Sequence, residues 1–358
     1  QLPQLAIWDG TSWSATPTSS TKAIINGSYN TGVGGVQTSF EACKCEVNAA
    51  LNIAGNTYVE IQDDLDVRVS GSVFVQNNGS LIQINDYALN FGNITYQRTA
   101  LARNLDYVYW SSPVANFNVG GIPNNYRYLW NTTIANSNGG QGAWVNASGN
   151  MVIGKGYIAR ASNGSTTAIP LTATFLGLPN NGIITLPISR GTYTGADYLG
   201  TNNTVITKYS DNWNLVGNPY PSAIDALSFL NANTNIEGAI RIWTHGTLPS
   251  SSTSNPFYGS YAANYTPSDY ITYNGLGTVS GPTGFNGKIA AGQGFMINML
   301  DGSAATENII FSNSLRSKSY NNGQFYRNSS QNSDLEKHRL WIDIVNTSNN
   351  ESDRTLLG

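Results

Sequence analysis

Tyr58-Val59-Glu60-Ile61-Gln62-Asp63-Asp64-Leu65-Asp66-Val67-Arg68-Val69-Ser70-Gly71-Ser72-Val73-Phe74-Val75 carries the clearest periodicity in the chain. Val59, Ile61, Leu65, Val67, Val69, Val73 and Val75 all fall on odd positions, the period-two mark of half-buried strands. Turn residues interrupt the run at Gly55, Asp63-Asp64, Gly71 and Gly79, about every eight residues. Leu51 and Ile53 lead into it, and Leu81, Ile82 and Ile84 come after it. Units of this length suit either an antiparallel meander or the faces of a short parallel β-solenoid. Solenoid rungs account better for small polar turns with few charges. Upstream, Trp8-Asp9-Gly10-Thr11-Ser12-Trp13 reads as a turn between two indoles that caps the end of the stack.

The whole composition agrees with this texture. Of 358 residues, 40% are apolar and only 11% charged, with a net charge of −3. An ordinary domain has about 25% charged residues. Here 37 Gly, 13 Pro and an excess of Asn, Ser and Thr fill the polar share, as short strands joined by tight turns require. A near-neutral surface excludes a basic nucleic-acid binder. No apolar run approaches the ~20 residues of a membrane span.

From about Thr95 aromatic residues become dense and the strands lengthen. Strands are expected around Leu105–Trp110, Tyr126–Trp130, Trp144-Val145, Met151–Ala159, Ile183–Ile188, Val205–Tyr209, Trp213–Val216, Ala239–Thr244 and Gly294–Leu300. Pro113 should end the first of these ladders. One helix is expected near Ala223–Leu230: Ser222 with Asp225 forms a capping-box pattern after Pro221, and Ile224, Leu227 and Leu230 make an apolar stripe. Ser250–Gly287 reads as an irregular surface excursion, and the polar Asn313–Asp334 as a linker. The expected architecture is all-β. A solenoid-like or meander unit spans 1–92, an aromatic-rich β-sandwich with one short helix 93–312, and a linker with further strands 313–358. Leu340, Ile342 and Ile344 alternate as one strand, and Thr355-Leu356-Leu357 begins its return.

The residues that could carry chemistry are few. Cys43 and Cys45 are the only cysteines and His245 and His338 the only histidines. The Cys-x-Cys spacing places both thiols on one strand face, as small buried hydrophobes or as a local disulfide. His245 reads as a strand-end residue rather than a base. Gly32-Val33-Gly34-Gly35 and Gly292-Gln293-Gly294 lack the Lys-Ser/Thr of a phosphate loop and read as turns. Asp63, Asp64 and Asp66 cluster, and Asp225 and Glu237 do so more loosely. Two acids across a cleft would suit glycoside chemistry, and hard oxygen ligands would suit calcium at Asp63, Asp64 and Asp66. Aspartates at repeat turns are nonetheless ordinary turn chemistry. Twenty Tyr and eight Trp invite a glycan-binding reading, although most should be core or cross-strand pairs.

Three ordered blocks carry a resemblance. Tyr109-Trp110-Ser111-Ser112-Pro113-Val114 is followed by Trp213-Asn214-Leu215-Val216-Gly217-Asn218-Pro219-Tyr220-Pro221-Ser222-Ala223-Ile224-Asp225, and then by Ile242-Trp243-Thr244-His245 with Gly292-Gln293-Gly294-Phe295. In this order they resemble the large adhesin-like surface proteins exported by the type IX secretion system of gliding Bacteroidota, in the region upstream of a C-terminal sorting domain. Trp8-Asp9-Gly10 with Trp13, and the repeat through Asn78-Gly79-Ser80-Leu81, are similar to the module that precedes those blocks. The resemblance implies an extracellular or cell-surface location. It also implies an outer-membrane type IX translocon or its shuttle as partner, met through the C-terminal region, and a precursor continuing past residue 358. It supplies no catalytic residues. The sequence therefore predicts a non-enzymatic adhesive or structural passenger with no cofactor, calcium apart. The alternatives are a glycan-binding module or accessory to a polysaccharide-active enzyme, with surface glycans as partners, and a solenoid enzyme using Asp63 to Asp66.

Overall fold

The computed structural model describes residues 3–325, except 125, 136–140, 163, 192, 194, 200–204, 209–211, 245, 247–249, 251, 253–268, 282–283 and 303, together with strands 340–345 and 352–357. The protein is all-β with one α-helix, and it opens with a parallel, three-faced β-solenoid. The first face stacks Gln4–Trp8, Thr21–Ile25, Lys44–Val47, Leu65–Val67 and Asn90–Phe91. The second stacks Tyr29–Asn30, Ala50–Ile53, Ser72–Val75 and the start of Ile94–Ala102, and the third Phe40–Ala42, Tyr58–Ile61 and Ser80–Gln83. Leu51 lies beside Val73 and Val59 beside Leu81, 22 residues on in each case, while Phe40 meets Val59 after 19 and Cys45 meets Leu65 after 20. Three strand-and-turn units make one such coil.

Parallel in-register stacking puts like residues above one another. Tyr29, Leu51, Val73 and Ile94 form one interior ladder, and Phe40, Val59 and Leu81 another. All are buried. Val69 departs from the odd-position pattern. It lies just past the strand Leu65–Val67 at a corner and is fully exposed, because a bend between faces breaks the alternation that holds within each face. At the N-terminal end the two indoles close the stack as expected. Trp8 and Trp13 lie 5.6 Å apart, and Trp13 also meets Tyr29 and Phe40 at 5.3 and 5.4 Å. The Asp9 carboxylate accepts from the Thr11 and Ser12 amides at 2.7 and 2.8 Å and holds the turn between them.

Ile94–Ala102 carries the second face past residue 92 and pairs along its whole length with the antiparallel strand Ile169–Gly177. The solenoid therefore runs without a clean break into the antiparallel half of the chain. A four-stranded antiparallel sheet (Tyr107–Trp110, Tyr157–Arg160, Tyr126–Ala135, Gln141–Asn146) backs onto the solenoid core through Val108, Trp110, Tyr157 and Ala159. Its other face presents Tyr109, Trp130 and Ile158 to Leu215, Trp243 and Met296 of a five-stranded sheet. That sheet runs Trp213–Gly217, Gly294–Met299, Ile236–Trp243, Tyr270–Tyr273 and Thr278–Ser280. Gly294–Met299 is buried at every position, because it is covered on both sides. Met296 faces the aromatic layer, while Phe295, Ile297 and Met299 pack with Phe229 and Phe311.

Several expectations change in detail. The helix is Ala226–Ala232, and Asp225 is its N-cap, accepting from the Ser228 amide at 2.8 Å. Ser222, expected in that role, is buried, and its hydroxyl accepts from Arg316. Tyr270–Tyr273 and Thr278–Ser280 are strands within the expected irregular excursion. Residues 313–325 do not run free as a linker. They lie across the solenoid with Asn313, Leu315, Arg316, Asn322 and Phe325 buried, whereas 326–334 lie outside the described residues. Leu340–Val345 pairs antiparallel with Ser352–Leu357, the expected hairpin. No helix among the described residues is long and apolar enough to cross a membrane.

Candidate binding cleft

The acids singled out in the sequence are already occupied by cations. Asp64 lies 2.6 Å and Asp63 3.4 Å from the Lys44 ammonium, and Asp66 lies 3.0 Å from Arg68. Asp64 also accepts from the Leu89 amide, and Asp63 from the Asn85 side chain. Burial acts to raise the Asp64 carboxyl, but Lys44 and the Leu89 amide outweigh it and hold the group below its usual value. Calcium would have to displace Lys44 and Arg68 from these carboxylates. Among the described residues no group of three or more His, Cys, Asp or Glu side chains could hold a metal ion. Asp225 and Glu237 do not converge: Asp225 caps the helix and pairs with Lys288, while Glu237 pairs with Arg241.

Cys43 and Cys45 do not share a strand face. Cys43 occupies the corner between Phe40–Ala42 and Lys44–Val47 and is half-buried, whereas Cys45 points into the core, and both are free thiols. Burial, with Glu46 adding to it, pushes the Cys45 thiol up to about 12. His245 and His338 lie outside the described residues.

The three ordered sequence blocks meet at one place and serve as scaffold. The Ser111 amide donates to the Gly292 carbonyl, and the Asn218 amide to that of Gln293. The Gln293 side chain donates to the Tyr109 carbonyl at 3.2 Å. Gly217 is confined to glycine by proximity, since a Cβ there would sit 2.4 Å from that of Ser111. The Asn218 side chain donates to the Ser222 and Ile289 carbonyls and accepts from the Tyr220 amide, tying the Asn-Pro-Tyr-Pro-Ser turn into a fixed shape. Every one of these groups is buried.

The candidate site lies instead where the solenoid meets the segment taken for a linker. A cleft of about 380 Å³ opens between the corner turns Asn56-Thr57-Tyr58 and Asn78–Ser80 on one side and residues 318–322 on the other. Asn56 and Asn78 occupy equivalent corners of successive coils. Both have positive φ, 62° and 67°, a conformation that Asn tolerates well. The backbone amide of Asn56 donates to the Asn78 carbonyl at 3.2 Å and ties the two corners together. Across the cleft, the Asn322 side chain donates to the Gly79 carbonyl and the Tyr96 hydroxyl and accepts from Arg98 at 2.8 Å. Lys318 is drawn to Glu41 and Glu60, and the Glu41 contact raises its ammonium above the usual lysine value. Alternation within the solenoid strands could flag Tyr58 and Ser80, but nothing local to 318–322 signals that this segment returns to them.

A family model described as a domain of unknown function (DUF8693) matches residues 7–358, almost the entire chain. The chain belongs to the DUF8693 family. No curated protein and no solved structure matches it. Because the DUF8693 match begins at Ile7 in the first strand, it takes in the solenoid, the sandwich and both walls of the cleft.

Proposed function

We propose that this protein is a non-enzymatic adhesive or structural passenger, displayed at the cell surface or secreted after export by a type IX system. What carries the reading is the state of its acids: Asp63, Asp64, Asp66, Asp225 and Glu237 are each paired with a lysine or arginine. A general acid–base pair needs carboxyls that are free to exchange protons with a substrate. The ordered blocks that resemble type IX cargo support the export route. Their buried geometry suits a rigid display module better than a reaction centre. The partner in export is the outer-membrane translocon or its shuttle, met through the C-terminal region.

The reading is tested by expressing the native gene in a type IX-competent strain and in one lacking the translocon. Protease shaving should remove the protein from intact cells of the first strain only. Equal surface exposure in both strains would defeat the export route. Changing Asp63 or Asp64 to Ala should leave any surface phenotype intact, whereas loss of turnover of a defined polysaccharide in a folded variant would reveal an enzyme.

A further inference from the structure

We infer that the cleft between the solenoid corner and residues 318–322 is a binding site for a neutral oligosaccharide. The inference rests on the adhesive, non-enzymatic reading proposed above, and it names the ligand class. Four observations lead to it.

The cleft presents polar groups that the protein leaves unpaired. Among the described residues the Asn56 side chain and the Tyr58 and Tyr320 hydroxyls make no hydrogen bond. The Asn78 amide oxygen accepts from Arg98 at 2.9 Å, and that of Asn321 accepts from the Gly323 amide at 2.7 Å. Each of these bonds fixes the amide plane and leaves its NH₂ donors unused. Ser80 adds a hydroxyl at the cleft wall. Amide donors and acceptors interleaved with hydroxyls match the alternating donor and acceptor capacity of a polyol.

Two tyrosines line the same space. Lys288 sits 4.2 Å from the centroid of the Tyr320 ring, holding it by a cation–π contact. The negative face of a tyrosine ring attracts the positively polarised C–H groups of a sugar ring by the same electrostatics that orient aromatic pairs.

Charge disfavours an anionic ligand. Of the residues that line the cleft only Lys318 is charged, and it is already paired with Glu41 and Glu60. A phosphate, a uronate or a nucleic acid would have to draw Lys318 away from these carboxylates to find a cation in the lining. The remaining observation is size. About 380 Å³ lies near the low end of the roughly 300–1,000 Å³ of small-molecule sites, suiting a mono- or disaccharide unit of a longer chain that extends out of the open end.

The test uses the full chain against immobilised neutral hexasaccharides of β-1,4-glucan, β-1,4-xylan, β-1,4-N-acetylglucosamine and α-1,6-mannan type, with polygalacturonate as the anionic comparison. Binding to at least one neutral probe is expected, and none to polygalacturonate. Tyr320→Ala and Asn56→Gly should each weaken that binding tenfold or more. Asn56→Gly keeps the positive φ without strain, so its unfolding midpoint should match the parent even if Tyr320→Ala loosens the segment. Tyr126→Ala, at an exposed tyrosine on the sandwich, should change nothing. No neutral binding up to about 1 mM, unaltered binding in Asn56→Gly, or preference for polygalacturonate would overturn the assignment. None of these outcomes bears on whether the protein is exported.

Discussion

Along the solenoid coils, charged side chains pair from coil to coil on the outside, while where residues 313–325 cross the solenoid two arginines, Arg98 on a solenoid strand and Arg316 on the crossing segment, are buried. Lys22 reaches Glu46 one coil away at 2.7 Å, and Lys44 reaches Asp64 in the same way. The interior between the faces is apolar. Arg98 and Arg316, by contrast, are buried, and burial lowers both guanidinium groups, that of Arg316 to about 10. Arg98 donates to the Ala291 and Asn322 carbonyls, the Asn78 and Asn322 side chains and the Tyr96 hydroxyl. Arg316 donates to Ser222, Asn313 and the Leu81 carbonyl. All these acceptors are uncharged. Desolvating a cation costs several kcal/mol, offset here by hydrogen bonds to a charged donor of about 1.5–3 kcal/mol each. A repeating coil can stabilise itself by stacking like on like. A segment that crosses it once has no repeat to stack on and must be held by specific polar contacts.

The largest expected effect comes from breaking that clasp. Arg98→Ala leaves Asn322 and two carbonyl groups without their donor and should lower unfolding free energy by about 3–5 kcal/mol in urea titrations. Limited proteolysis should then cut first within 313–325. Intact protection of that segment in the variant would show that apolar contacts, such as Phe325 on Trp110 at 5.0 Å, hold it alone.

Inside the solenoid, Leu51→Ala should cost about 3 kcal/mol through the cavity it leaves in the ladder. Thiol labelling at pH 8 sharpens the same point. Cys43 should react readily in the native protein, whereas Cys45, protonated and buried, should react only through opening of the coil and faster in Leu51→Ala. Equal labelling of both thiols in the parent would contradict the closed core.

A smaller effect is expected at the N-terminal cap. Hydrogen bonds from the Ser12 and Thr11 amides hold the Asp9 carboxyl down to about 2, below the 3.8 of a free group. The stabilisation is therefore complete above about pH 4 and fades as pH falls toward 2. Asp9→Asn should flatten that part of the pH–stability profile, and an unchanged profile would remove Asp9 from the account. The smallest effect belongs to the outer charge ladder. Lys22→Ala should cost under about 1 kcal/mol, with the loss fading in 1 M salt.

Period-two alternation between Leu51 and Ile84 and the spaced turns at Gly55, Gly71 and Gly79 were enough to mark short strands with one buried side, because alternation is a local consequence of the pleat. The order Trp-Asp-Gly-Thr-Ser-Trp likewise announced a capped turn, since an aspartate bonds its own backbone two and three residues on. The candidate cleft was far less legible. Tyr320 and Asn321 sit in an Asn- and Ser-rich stretch whose composition matches a linker, and partners more than two hundred residues away, Arg98, Tyr96 and Gly79, help convert Asn322 from a solvated side chain into a buried one.

By itself the sequence determined an all-β chain of short strands with little charge, turn positions set by glycine and asparagine, and a helix after Pro221, because each depends on residues within a turn or two of one another. Tertiary structure alone decided that the first strands stack in parallel rather than fold back as a meander, that Val69 faces water at a corner, and that 313–325 binds across the coils to form a cleft. Those outcomes depend on which distant backbone and side-chain groups satisfy one another's hydrogen bonds, and local periodicity carries no record of that pairing.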